Sequence, residues 1–417
     1  MATIQRKRLM PKSAFLVKKY RRGIRVSFTA FCVLLTLLFI MHAPSSTNED
    51  EITLNIGTNT DASTSGTSPI SGSAKSEYLM PFTDKSQNVE HPKDDGIKEN
   101  AVMVTLARNS DLWSLVNSIR HVEDRFNHKY HYDWVFLNDD EFTDEFKRVT
   151  SNLVSGEAKY GKIPKEQFST PSWIDQDKLA TTLKTMRDNN VIYGDSVPYR
   201  HMCRFQAGLF YRHPLLQQYN WYWRVDTDIT IFCDIQYDLF KFLRVNDKKY
   251  GFILSVSEYE ATIPTLWSTT KKFMKEYPHL VHKNNLMNYI SDDNGETYNL
   301  CHFWSNFEIG SLDFWRSEAY DKYFEYLDQS GGFYYERWGD APVHSIAAAL
   351  FLDRSQIHFF DGLGFHHPDF LSCPVEEDIR LQNHCTCNPN RDVTWGPSYF
   401  CTRKFFLTQN YALPPGV

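Results

Sequence analysis

Five short stretches of the sequence hold side chains suited to chemistry on a phosphate or a sugar. In the first, Asp226-Thr227-Asp228, two carboxylates flank a tight turn between an apolar strand and residues 229–232. Hard oxygen ligands placed so can hold Mg²⁺ or Mn²⁺ against a diphosphate. Asp175-x-Asp177 has the same spacing, but it opens a polar helical stretch, where acids favour the helix dipole. In the second, His366-His367-Pro368-Asp369, an imidazole after a last strand and a Gly-rich turn either completes a coordination sphere or is a hydrogen-bonded loop histidine. The third, residues 199–205, sets Tyr199, Arg200 and Arg204 at a helix start. That is the make-up of a phosphate clamp, and equally of an amphipathic helix with solvated arginines. The fourth, Asn306-Phe307-Glu308-Ile309-Gly310, places one acid among apolar neighbours, where it must be paired, raised in pKa or used. Such a group can act beside an anomeric carbon in glycosyl transfer, or be a salt-bridged or capping glutamate. In the fifth, Trp338-Gly339-Asp340-Ala341-Pro342, Asp340 is either another acid for the site or the N-cap of the helix that Pro342 opens.

These residues need a scaffold that brings them to one edge. Apolar runs predict strands at 101–106, 134–137, 221–225, 250–255 and 356–360, each followed by polar residues. Helical spacing predicts helices after Asn109 or Ser110 as N-cap, and over 199–211, 263–277, 318–327 and 341–352. Alternation of this kind is an α/β fold, whose ligands bind at the carboxyl ends of the strands. No G-x-G-x-x-G follows the first strand, which argues against a nicotinamide or flavin enzyme.

The chain around this domain reads as a membrane anchor and a stem. Nine cations and no acid precede residue 26, and residues 26–41 are an apolar run. We expect a cytosolic tail (1–25), a transmembrane signal anchor (26–42), a flexible Ser/Thr-rich stem (43–100) and a lumenal catalytic domain (101–417). After residue 42, 36 basic side chains face 51 acidic ones, a formal charge of −15, so nucleic acid is excluded as a partner. Seven cysteines follow the anchor; in an oxidising lumen they should pair, leaving at least one free. Cys373, Cys385, Cys387 and Cys401 favour a disulfide-stapled tail over a zinc site, since the usual two-residue spacer is missing.

Longer motifs carry a resemblance. Pro171-Ser172-Trp173-Ile174-Asp175, Tyr199 to Phe205, Tyr222 to Asp228 with Phe232-Cys233-Asp234, Gly295 to Trp304, Asn306 to Asp313 and Tyr335 to Ser345 together resemble the fungal Golgi α-1,2-mannosyltransferases of glycosyltransferase family 15. The resemblance runs from about residue 108 to residue 373. It implies a GT-A-like nucleotide-sugar domain with a mixed central sheet, GDP-mannose as donor, and Mn²⁺ or another divalent ion as cofactor. It also implies retaining transfer to a mannose-terminated acceptor on N- and/or O-linked glycans. Asp226 matches the acid that opens the family's metal motif, which Asp228 closes, and His367 matches its histidine ligand. Tyr199 matches a tyrosine near the donor diphosphate, Glu308 the proposed nucleophile, and Asp340 an acid near the reacting sugars. The family's usual Glu-Pro-Asp is Asp226-Thr227-Asp228 here, a first acid shorter by one methylene, which leaves metal preference less fixed than metal use. Two other readings fit the same fold: a mannosylphosphate transferase, and a non-catalytic mannan-binding membrane protein.

Overall fold

The computed structural model describes residues 78–93 and 95–417. The expected tail 1–25, anchor 26–42 and stem as far as residue 77 lie outside the described residues, and no described helix is long and apolar enough to cross a membrane. The strands are β1 (Ala101–Leu106), β2 (Asp133–Asn138), β3 (Ala158–Lys162), β4 (Trp221–Val225), β5 (Thr230–Ile231), β6 (Tyr250–Phe252), β7 (Ser255–Ser257), β8 (Cys301–Phe303), β9 (Phe307–Ser311), β10 (Ile357–Phe359), β11 (Phe365–His367) and β12 (Phe370–Ser372). Seven of them form the central sheet in the order β10-β6-β9-β4-β1-β2-β3. β9 runs antiparallel to both its neighbours while the other pairs are parallel, so the sheet is mixed, as expected.

Both faces of this sheet are covered, which is why its strands read as continuous apolar runs. Val102, Val135 and Tyr222 point into one core; Met103, Trp134 and Trp223, each a chain neighbour of one of these, point into the other. The helix Leu112–Arg125 closes the second face through Leu115, Ile119 and Val122. The helices Val197–Gly208, Glu318–Ser330 and Asp340–Phe351 close the first.

Several boundaries differ from expectation for local reasons. The first helix begins at Leu112 after a 3-10 turn, Asn109–Asp111, which the Asp111 carboxylate closes by accepting from the Arg108 N–H at 3.0 Å; Asp111 thus stands at the N-cap position given to Asn109 or Ser110, without a capping bond from its side chain. The helix expected over 199–211 is Val197–Gly208, capped by Ser196, whose hydroxyl accepts from the Tyr199 N–H. The run 250–255 splits into β6 and β7; β7 leaves the central sheet to pair with β8.

The boundary drawn at residue 100 is corrected by the structure for the residues it describes. Thr83 and Asp84 are fully buried, and the Gln87 side chain exchanges hydrogen bonds with both the N–H and the C=O of Phe359. Phe359 lies on β10, an edge strand, so one amide side chain covers an edge that would otherwise template pairing. Composition pointed to a stem here because this strap is buried through paired polar groups.

Three disulfides, Cys233–Cys385, Cys301–Cys401 and Cys373–Cys387, staple the C-terminal tail to the domain and use all four cysteines weighed for zinc. Among the described residues Cys203 is the free thiol; it is buried, and burial pushes it up to about 12, which keeps it unreactive.

Candidate active site

Strand polarity assembles the site. Because β9 runs against β4, with Phe307 opposite Val225, the residues just before β9 lie beside those just after β4. Asn306 therefore meets Asp226, and Ser305 meets Arg224. β5 continues from the same turn and pairs with β11, Ile231 opposite Phe365 and Thr230 opposite His366, which carries His367 back to Asp228. The N-terminus of the helix Asp340–Phe351 supplies Asp340.

The side chains form one connected network. His367 Nε2 lies 3.0 Å from Asp228 Oδ1 and 3.1 Å from Asn306 Nδ2. Asn306 Nδ2 also donates to Asp226 Oδ2 at 2.8 Å. Arg224 donates to both oxygens of Asp226, at 2.9 and 3.2 Å, and to Asp340 Oδ2 at 2.6 Å. Ser305 donates to the same Asp340 oxygen at 2.9 Å. The Asp228 side chain is 46 % exposed and that of Asp340 8 %, so the network runs from open solvent into the protein. Burial alone would lower the Arg224 guanidinium, but Asp226 and Asp340 hold it well above its ordinary range. Burial would raise the Asp340 carboxyl, yet Arg224, with His344 behind it, holds it below the usual carboxylate value.

Among the described residues no group of three or more His, Cys, Asp and Glu side chains is arranged to hold a metal ion. The structure brings Asp228 and His367 together and turns Asp226 toward Arg224 and Asn306. The donor set nonetheless suits a divalent cation. His367 Nε2 faces a carboxylate oxygen and an amide N–H at once, and one ring nitrogen cannot both donate to the first and accept from the second. His367 Nδ1 is buried without a partner. A carboxylate oxygen beside an imidazole lone pair is a mixture that a borderline ion such as Mn²⁺ accepts.

The remaining candidates lie elsewhere. Arg200 and Arg204 form neither a phosphate clamp nor a solvated helix face. Arg200 donates to the carbonyls of Glu336, Ser196 and Gly194, and Arg204 makes two bonds to Asp328, at 2.7 and 2.9 Å. Both are buried and turned to these acceptors inside the protein, away from Asp226 and Asp228, with which neither makes a bond. Tyr199 stacks on Tyr193 at 4.5 Å, with the Arg337 guanidinium 5.2 Å from its ring. Asp175 accepts from the N–H groups of Asp177 and Lys178, the helix-capping role that separates it from a metal motif. Glu308 is 1 % exposed and accepts from Tyr222, Tyr250 and His344.

Arg224, Ser305, Asn306 and His344 were not among the sequence candidates. Arg224 left one signal, a charge inside the apolar strand Trp221–Val225, which a buried strand tolerates only when it is paired.

Comparison with known proteins agrees with this geometry. The family model described as glycolipid 2-alpha-mannosyltransferase, glycosyltransferase family 15, matches residues 54–410. The chain is 66 % identical over 417 residues to the probable mannosyltransferase KTR3 of Saccharomyces cerevisiae, covering 100 % of both chains. It is 61 % identical over 332 residues to the alpha-1,2 mannosyltransferase KTR1 of the same yeast, covering 80 % of this chain and 84 % of that one. The crystal structure of core-mannan synthase A from Aspergillus fumigatus, in its Mn/GDP form, superposes with a TM-score of 0.69 at 35 % identity, over 81 % of this chain and 91 % of that one. With its mixed sheet, its acid-and-histidine edge and these relatives, the chain belongs to glycosyltransferase family 15, the glycolipid 2-alpha-mannosyltransferases.

Proposed function

We propose that the protein transfers mannose from GDP-mannose to a mannose-terminated acceptor on N- and/or O-linked glycans, forming an α-1,2 linkage with retention of configuration. The observation that carries this reading is the continuous network from Asp228 and His367 through Asn306, Asp226 and Arg224 to Asp340. It links donors suited to a diphosphate-bound cation with a buried acid that Arg224 holds below the usual carboxylate value.

Asp226, Asp228 and His367 would hold the divalent ion, for which Mn²⁺ in a structural relative is the precedent. Such an ion, when bound, neutralises the charge of the leaving diphosphate. Asn306 orients His367 and Asp226 through one amide. Arg224 fixes Asp226 toward the strand and keeps Asp340 anionic beside the cleft. Tyr199 would meet the diphosphate, a role supported by its motif's match to the family and by its position at a helix N-terminus beside Arg337. The protein works as a type II single-pass enzyme of the Golgi membrane, a reading supported by the cations ahead of residue 26 and the apolar run after them.

Substitution at the exposed end of the network tests this. Asp228→Ala and His367→Ala should each raise the Mn²⁺ concentration that gives half-maximal transfer by about tenfold or more, with the fold intact. A variant that titrates with Mn²⁺ like the parent would remove that residue from the ligand set.

A further inference from the structure

Glu308 and Arg224 are directly opposed residues on the antiparallel strands β9 and β4. Asp340 and His344 are one turn apart on the helix that packs over them. Arg224 pairs with Asp340 at 2.6 Å, and His344 Nδ1 lies 2.8 Å from Glu308 Oε2. The four form a square of alternating charge in which an outer pair faces the cleft and an inner pair lies behind it.

The inner pair is closed off. Glu308 and His344 are each 1 % exposed. Tyr222 donates to Glu308 Oε1 at 2.5 Å, and Tyr250 donates to Oε2 at 3.0 Å. His344 Nε2 faces the Ala207 carbonyl at 3.2 Å, so each of its ring nitrogens has an acceptor. A ring with two acceptors carries two N–H groups. A carboxylate only accepts, so the Nδ1 that faces Glu308 Oε2 is an N–H.

We propose that Glu308 is a positioning residue and not the group that attacks the donor: with His344 it forms a buried ion pair that fixes the helix Asp340–Phe351 against β4 and β9, and thereby fixes Asp340 and Arg224 at the cleft. This rests on the reading of the protein as a mannosyltransferase. No ester forms at Glu308. The acceptor 2-hydroxyl oxygen bonds to the anomeric carbon on the face GDP leaves, GDP departs with the electron pair of the broken C–O bond, and the hydroxyl proton passes to a diphosphate oxygen. The surroundings agree with an imidazolium. Burial would lower His344, but Glu308 and Asp340 outweigh it and raise it, Arg224 opposes them, and the Tyr320 and Trp315 rings complete the walls.

Glu308→Gln leaves the imidazolium without its counter-ion, whereas Glu308→Gln with His344→Asn puts a neutral amide pair in the same place. With GDP-mannose and α-methyl mannoside, Glu308→Gln should lose about thirtyfold in kcat with KM changed less than about threefold; the double variant should regain about tenfold and recover its urea midpoint. A nucleophile lost from position 308 cannot be restored from position 344. A double variant no faster than Glu308→Gln, in an assay where the parent turns over, would overturn the proposal. So would a mannosylated peptide containing Glu308 after rapid quenching of the parent with GDP-mannose alone. Should the single variant fail to fold or the parent show no turnover, the ring nitrogen-15 shifts of His344 in the parent decide at about pH 8. Two protonated nitrogens support the ion pair, and a neutral ring refutes it. Absence of turnover in the parent would count against the functional reading alone.

Discussion

Arg204 and Arg224 are both buried guanidiniums bonded to aspartates, and only their partners tell them apart. Arg224 joins Asp226 to Asp340 at the edge of the sheet, whereas Arg204 and Asp328 close on each other inside the protein. Arg204→Met should therefore cost about 3–5 kcal/mol of folding stability, because Asp328 is left as a buried charge without a partner. Denaturation should show this loss, while KM for GDP-mannose in the folded enzyme stays within about threefold of the parent. A tenfold rise in KM with unchanged stability would instead return Arg204 to the diphosphate. The sequence could not make this distinction, since Arg200 and Arg204 stand at helical spacing whether they face solvent, a phosphate or the core. Asp328 lies 124 residues further along the chain. Asp226, Asp228 and His367 stood out as candidates because polar residues beside core strands are few and an α/β sheet gathers them at one edge, and Asp340 because it is an acid opening an apolar helix. Arg224 and Asn306, which connect them, act only through partners that the fold supplies.

At the scale of elements, the strands buried on both faces were legible as apolar runs, and β9 was not. Phe307 and Ile309 read as core, but the positions between and beyond them, Glu308 and Gly310, do not until Tyr222, Tyr250 and the backbone of Lys249 are seen around them. The strap before β1 was hidden in the same way. Thr83 donates to Asp361, Asp84 bonds His91, and Gln87 covers β10, so a polar stretch is buried without an apolar pattern. This packing predicts a pH dependence. Burial pushes Asp361 up to about 7, and neighbouring Asp84 adds to the shift. An acid raised on folding costs nothing while both states keep the proton, and it removes stability as pH climbs from the ordinary carboxyl value toward the folded one. Burial raises Asp84 as well, in the same direction, whereas His358, held far below its ordinary value, acts oppositely: as pH falls the unfolded chain takes up a proton there and the folded one does not. Between about pH 5.5 and about pH 7.5 the urea midpoint of the parent should therefore fall relative to that of Asp361→Asn, in which the other titrating groups are unchanged. An equal pH difference in parent and variant would show that Asp361 is ionised in the folded protein.

For the whole molecule, the strap means that the folded domain extends at least to Tyr78, where Tyr78 packs beside His91 and Tyr237. Disulfides spanning 152 and 100 residues, Cys233–Cys385 and Cys301–Cys401, tie the tail to the sheet edge and suit an oxidising compartment. The proposed orientation puts that compartment on the far side of the membrane from residues 1–25. In intact microsomes, external protease should remove only a short N-terminal piece and leave the rest protected; complete digestion would refute the orientation. The reaction itself admits the most direct measurement. Purified protein is incubated with GDP-mannose, Mn²⁺ and α-methyl mannoside, and the product is analysed for linkage and anomeric configuration. An α-1,2-linked neutral disaccharide, formed with release of GDP and abolished by chelation of the metal, is the predicted result. An acid-labile mannosyl phosphodiester, or binding of the acceptor with no transfer, would contradict it.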